Sequence, residues 1–199
     1  VYVCSKEFLT GLRKLCDERD IALILDEVQC GMGRTGTIMT YFQYDILPDI
    51  LCLAKGIGAG FPMGAFVANK KFAAAMEPGD HGSTYGGNPM AGQACRTVFK
   101  ILEDTKMIDH VQDISEYLIG KLDDLQEEFP CIKERRGLGL MIGLEFDKPV
   151  KDIVKTCLDL GLIVVTAGPH VVRMLPPFIT TEKDVDQAIA ILKEAIEKN

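Results

Sequence analysis

The sequence predicts an α/β fold: a unit built on a parallel or mixed sheet, then a small α+β domain. Three observations predict it. Two nearly continuous apolar runs, 21–25 and 50–54, have the length and composition of parallel strands covered on both faces. Stretches with apolar residues spaced by three and four alternate with these runs, as helices laid on a sheet do. The last third mixes short strand runs with two such helical stretches.

Taken in order, Ser5 can cap a first helix whose apolar stripe is Phe8, Leu9, Leu12, Leu15 and Cys16. It feeds the strand run 21–25, which ends in Asp26. The second run ends in Lys55. A short strand at 64–69 and a short helix at 70–76 follow. Asn88-Pro89 opens a further helix by cap and first-position proline, running to about Glu103. Ile108, Val111, Ile114, Leu118, Leu122, Leu125 and Phe129 keep helical spacing in a long stretch expected to bridge two domains. Beyond it the pattern reads strand at 132–136, strand at 140–146, helix at 150–160, strand at 162–165 and strand at 171–175. A last helix starts at Thr181, with Val185, Ala188, Ile189, Leu192 and Ile196 on one face. The domain division is expected between residues 1–95 and 96–199.

Chemistry concentrates where the two apolar runs end. In open α/β sheets ligands bind outside the carboxyl ends of the strands, so Asp26 and Lys55 are expected to face one crevice. A lysine amine there can form a Schiff base, and a carboxylate beside it can hold a protonated ring nitrogen. That pairing is what pyridoxal 5'-phosphate requires of a protein. The bland readings are a solvated lysine and an aspartate that caps a turn. The glycine-rich run after Lys55 has neither the Gly-Lys-Ser/Thr ending of a phosphate loop nor the dinucleotide spacing, which would need glycine at Phe61. Its glycines are expected to permit tight turns and close approach of the backbone to a cofactor. The hydroxyl- and glycine-rich loop 81–89 ends at a helix start, a combination suited to an anion. Arg173 stands in an apolar run, Val171-Val172-Arg173-Met174-Leu175, where an unpaired guanidinium is costly and a carboxylate would offset the cost. A structural ion pair is the even alternative.

Three strings in order resemble the class III aminotransferases: Leu25-Asp26-Glu27-Val28-Gln29-Cys30-Gly31-Met32-Gly33-Arg34-Thr35-Gly36, then Leu53-Ala54-Lys55-Gly56, then His81-Gly82-Ser83-Thr84-Tyr85-Gly86-Gly87-Asn88-Pro89. The likeness continues through Arg136 to Gly143, Thr166 to Pro169 and Val172 to Pro177. It implies a type I pyridoxal-phosphate fold, of which this chain is the C-terminal half, with the catalytic residues Lys55 and Asp26. It also implies cofactor contacts from Glu27 and Val28 through their backbone, and from Gln29 to the phenolic oxygen, where the bland reading is a solvated turn amide. Thr84 is implied to reach the cofactor phosphate of a partner subunit, so that a homodimer shares its active sites. Ser83 and Arg173 are implied to lie beside substrate, Arg173 on the α-carboxylate. The reaction implied is transamination from N2-acetylornithine to 2-oxoglutarate, with ornithine, succinylornithine or 4-aminobutyrate as sibling donors. A non-catalytic subunit or scaffold fragment is the alternative of another class; the intact Lys55, Asp26 and Gln29 argue against it.

Composition narrows the remaining classes. The chain has 199 residues, 47% hydrophobic, and a net charge of -7, a balance that disfavours nucleic acid, since phosphate binding needs clustered Lys and Arg. Seven cysteines without a C-x-x-C pair and three scattered histidines read as reduced thiols and ordinary side chains, with no metal site. No apolar run reaches membrane-spanning length and no signal peptide is visible, so a cytoplasmic location is expected.

Overall fold

The computed structural model describes residues 1–199, which divide into two compact units. The first comprises Cys4–Ile108 and the second Val1–Val3 with Asp109–Asn199. The sequence-expected division at 95/96 falls inside a continuous helix, Pro89–Asp104, which the contacts keep wholly in the first unit. A hydrogen-bonded helix moves as one piece, so the boundary falls beyond its end.

In the first unit, α1 (Lys6–Glu18) starts where the Ser5 hydroxyl accepts the Phe8 N–H at 3.1 Å. It buries Cys16 against Leu23, Tyr44 and Ile46, with Leu9 and Leu12 at the margin. The expected stripe is only partly used, since Phe8 and Leu15 remain exposed. The strands β1 (Ile24–Asp26), β2 (Ile50–Leu53) and β3 (Ala65–Ala68) form one sheet in that order, β1 parallel and β3 antiparallel to β2. The expectation of two strands buried on both faces holds only in part: β2 buries Leu51 and Leu53 on one face and half-buries Ile50 and Cys52 on the other, and β1 is less covered still. As the sheet's edge strand, β1 leaves Ile24 55% exposed. The helices α2 (Lys70–Ala73) and α3 (Pro89–Asp104) complete the unit, α3 capped by the Asn88 side chain on Ala91 N–H at 2.9 Å.

The second unit takes nearly all of α4 (Met107–Glu128), which begins two residues before the boundary. Its antiparallel sheet runs β4 (Ile132–Leu138), β5 (Met141–Phe146), β7 (Val171–Met174), β6 (Val165–Thr166). The helices α5 (Lys151–Asp159) and α6 (Glu182–Glu197) join α4 over one sheet face. That core gathers Val111, Ile114, Leu118, Leu122 and Leu125 of α4, Ile142, Leu144 and Phe146 of β5, Val172 and Met174 of β7, and Val185 and Leu192 of α6. The strand expected at 162–165 shrinks to two residues, because β6 pairs with β7 only through Val165 and Thr166, and Ile163 is 81% exposed. All seven cysteines are free thiols. No helix is long and apolar enough to cross a membrane, and no cluster of metal-ligating side chains is present.

Candidate active site

Parallel pairing brings the two chemistry-bearing residues to one end of one sheet. Asp26 is the last residue of β1 and lies in register with Cys52 of β2, so Lys55 follows three residues beyond Asp26's neighbour. The Asp26 Oδ1 accepts the Val28 N–H at 2.9 Å, which bends the chain into a turn and leaves the other carboxylate oxygen available to a ligand. The side chain therefore acts as a local cap while its residue remains exposed at the carboxyl end of the sheet. Gln29 and Val28 are half-buried on the same turn.

Lys55 opens a 3-10 turn, Lys55–Gly58, directly after β2 and is itself exposed. Its backbone is left-handed, φ 47°, a region that L side chains rarely adopt and that tends to occur where a functional side chain is held against local preference. The turn is held from below. A Cβ on Gly56 would stand 3.1 Å from the Cβ of Met32, and one on Gly58 would stand 2.9 Å from Met63 Cγ. Met32 is itself left-handed at φ 57° and only 3% exposed. The glycines at 56 and 58 thus serve close packing against two methionines, whereas Gly60 at φ 102° serves a turn that other residues would strain. The helix α3 packs against the same turn.

Glu27 has a side-chain role that its sequence reading did not include. Allotted only backbone contacts, it is 4% exposed, and its carboxylate accepts the Thr40 N–H at 2.7 Å and the Tyr41 N–H at 2.8 Å. Burial pushes its carboxyl above the usual range, while those two N–H bonds pull the other way. Its backbone N–H donates to Cys52 O at 3.0 Å, joining the aspartate turn to the lysine strand. Sequence carried little signal for this, because a glutamate after a strand is ordinarily solvated.

Ser83 and Thr84 lie in an exposed loop leading to α3. Gly87 at φ 69° and the Asn88 Nδ2 bond to Tyr85 O at 2.7 Å shape its end. Arg173 belongs to the second unit, on the sheet face opposite the core, in register with Gly143 of β5 and Val165 of β6. Two arginines share that face, and they differ. Arg136 is bonded to Glu134, Glu145 and the Val1 carbonyl, with Tyr2 stacked on it, whereas the Nε of Arg173 is buried without a hydrogen-bond partner. A buried donor left unmade costs about 1–3 kcal/mol.

The donor set suits one cofactor class: an exposed amine for an aldehyde carbon, a half-used carboxylate for a protonated ring nitrogen, and an amide that donates without adding charge. The family model described as Aminotransferase class-III matches residues 1–196. The chain belongs to the class III aminotransferases. Among curated relatives, acetylornithine aminotransferase of Clostridium acetobutylicum is 46% identical over 193 residues, covering 96% of this chain and 50% of that protein. The enzyme of the same name from Methanocaldococcus jannaschii is 44% identical over 194 residues, covering 98% and 49%. Among solved structures, Plasmodium falciparum ornithine delta-aminotransferase superposes with TM-score 0.93 at 31% identity, covering 100% of this chain and 51% of that one. N-acetylornithine aminotransferase from Stenotrophomonas maltophilia K279a superposes with TM-score 0.86 at 35% identity, covering 98% and 52%. The chain spans about half the length of the relatives it matches. Class III aminotransferases are pyridoxal-phosphate enzymes, and the mixed α/β architecture seen here is half of theirs.

Proposed function

We propose that the complete protein is an aminotransferase that moves the δ-amino group of N2-acetylornithine to 2-oxoglutarate, giving N-acetylglutamate 5-semialdehyde and glutamate on the arginine biosynthesis route. The observation that carries the reading is the delivery of Asp26 and Lys55 from adjacent parallel strands. The shared name of the two curated relatives supports the choice of donor.

Pyridoxal 5'-phosphate supplies an electron sink that no side chain possesses. Lys55 would hold it through its amine, and the same amine, when free, would move a proton at the substrate carbon. Asp26 keeps the ring nitrogen protonated with the carboxylate oxygen not used by Val28 N–H. Gln29 donates to the phenolic oxygen, and Glu27 and Val28 contribute backbone only. Ser83 lies beside substrate, and Arg173, whose Nε has no hydrogen-bond partner in this chain, takes a substrate carboxylate. Thr84 binds the cofactor phosphate of a partner subunit, so the working form is a homodimer. A cytoplasmic location is part of the same proposal.

The full-length protein should give a borohydride-trapped cofactor on the Lys55 peptide, and Lys55→Ala should abolish turnover. Glutamate formation should be fastest, by kcat/KM, with N2-acetylornithine among acetylornithine, ornithine, succinylornithine and 4-aminobutyrate. A higher value for a sibling donor would reassign the substrate. Cofactor-loaded protein inactive with all four would favour the non-catalytic reading.

A further inference from the structure

We propose that Glu27 is the positioning residue of this site: its buried carboxylate holds the turn that aims Asp26 at the ring nitrogen. The inference rests on the pyridoxal-phosphate reading above and concerns a group to which that mechanism gives no side-chain task.

The turn from Asp26 to Gly31 is bound on three sides, all through Glu27 or its contacts. Its N–H reaches Cys52 O of the lysine strand, its carbonyl accepts the Gly31 N–H at 3.0 Å, and its two carboxylate oxygens take the Thr40 and Tyr41 N–H groups. Thr40 returns a further bond, hydroxyl to Cys30 O at 2.8 Å, and shares a hydroxyl contact of 2.8 Å with Thr35. Gly31 has no room for a side chain, since a Cβ there would lie 2.8 Å from Glu27 O and 3.0 Å from its Oε2.

Those two N–H groups open the 3-10 turn Thr40–Tyr44, whose own N-cap residue, Met39, offers no side-chain bond. A local Ser, Asp or Asn at position 39 would serve a mere cap at far lower desolvation cost. Here the acceptor comes from the residue next to Asp26, so the strong charge-assisted bonds fix the aspartate's own backbone. A shift of an ångström there suffices to lose much of an oriented interaction.

The test uses the full-length, cofactor-loaded protein. Glu27→Gln keeps shape but exchanges one acceptor oxygen for a donor, so one N–H loses its partner. Gly31→Ala crowds the same residue from the other side, at its carbonyl oxygen and its Oε2. Each is made in the native and the Asp26→Asn backgrounds, with kcat, KM, melting temperature and the visible absorbance of the bound cofactor measured. The expected result is a kcat loss of roughly tenfold with KM within about twofold, and a shifted visible band, in the native background; with Asn at 26 the loss shrinks to within about twofold, because residues acting through one another are non-additive. Equal losses in both backgrounds, no loss at all, or failure of both variants to fold would make Glu27 structural only and overturn the proposal. If the unmutated protein binds no cofactor, the functional reading itself fails and takes the inference with it; if that protein is active and the variants behave additively, the inference alone fails.

Discussion

Asp26 carries two tasks on one side chain, and they can be separated. Its Oδ1 accepts the Val28 N–H, which an asparagine carbonyl can also do, while holding a ring nitrogen protonated requires a carboxylate. Asp26→Asn in the full-length protein should therefore melt within a few degrees of the parent and still take up cofactor, but turn over orders of magnitude more slowly. Unfolding of the variant with normal specific activity in its folded fraction would instead make Asp26 a cap. Lys55 and Asp26 were legible in the sequence because an apolar run reads as a strand and the residue ending it reads as a strand end. The left-handed backbone of Lys55 was not, since φ is set by the turn that Met32 supports from a separate segment.

At the scale of elements, Asp49 ties three of them. Its Oδ2 accepts Leu23 N–H at 2.8 Å and Arg13 Nη1 at 2.9 Å, and its Oδ1 accepts Asn69 Nδ2 at 2.7 Å, joining α1, the start of β1 and the end of β3. The Leu23 N–H bond above all, and the Arg13 guanidinium after it, hold its carboxyl below the ordinary value of 3.8. A depressed folded-state pKa means stabilisation fully present above the unfolded value and lost as pH falls through the folded one. Asp49→Asn should destabilise by about 1–3 kcal/mol at neutral pH and flatten acid unfolding below pH about 4, measured by urea melts across pH. Gly137 makes a second element-scale prediction. At φ 142°, with a Cβ position 2.1 Å from Met141 O, it pairs with Ile142 next to the β4–β5 hairpin turn, where no side chain fits. Gly137→Ala should cost upwards of about 3 kcal/mol in a thermal or urea melt, among the largest effects of a single methyl. Helix starts were the most legible elements, because Ser5, Asn88 and Thr181 each act within three residues of their own position. Strand extents were the least, since the length of β6 is decided by how far β7 runs beside it.

For the whole molecule, the proposed trans role of Thr84 is testable by mixing. Thr84→Val and Lys55→Ala subunits are each impaired alone, yet a verified heterodimer with a loop acting across the interface has one site carrying both defects and one carrying neither. Activity should partly return. No recovery would assign Thr84 to its own subunit's site or to none. If the proposed dimer shares its sites, cofactor should stabilise it by mass action, about 2.7 kcal/mol at a hundredfold excess over its dissociation constant.

What the residues determined by themselves is local or periodic: an α/β chain of the class III aminotransferases, the lysine and aspartate at two strand ends, the capped helices, and an arginine set among apolar neighbours. What only the tertiary structure decided is everything that depends on partners distant in the chain. Within this chain β1 stands at the sheet's edge with Ile24 exposed, Arg136 is bonded while the Nε of Arg173 has no partner, and Glu27 is buried with its carboxylate bonded to N–H groups thirteen and fourteen residues away. Spacing along a chain records which side chains share a face of their own element. It holds no record of which other element will supply the donor that a buried charge requires.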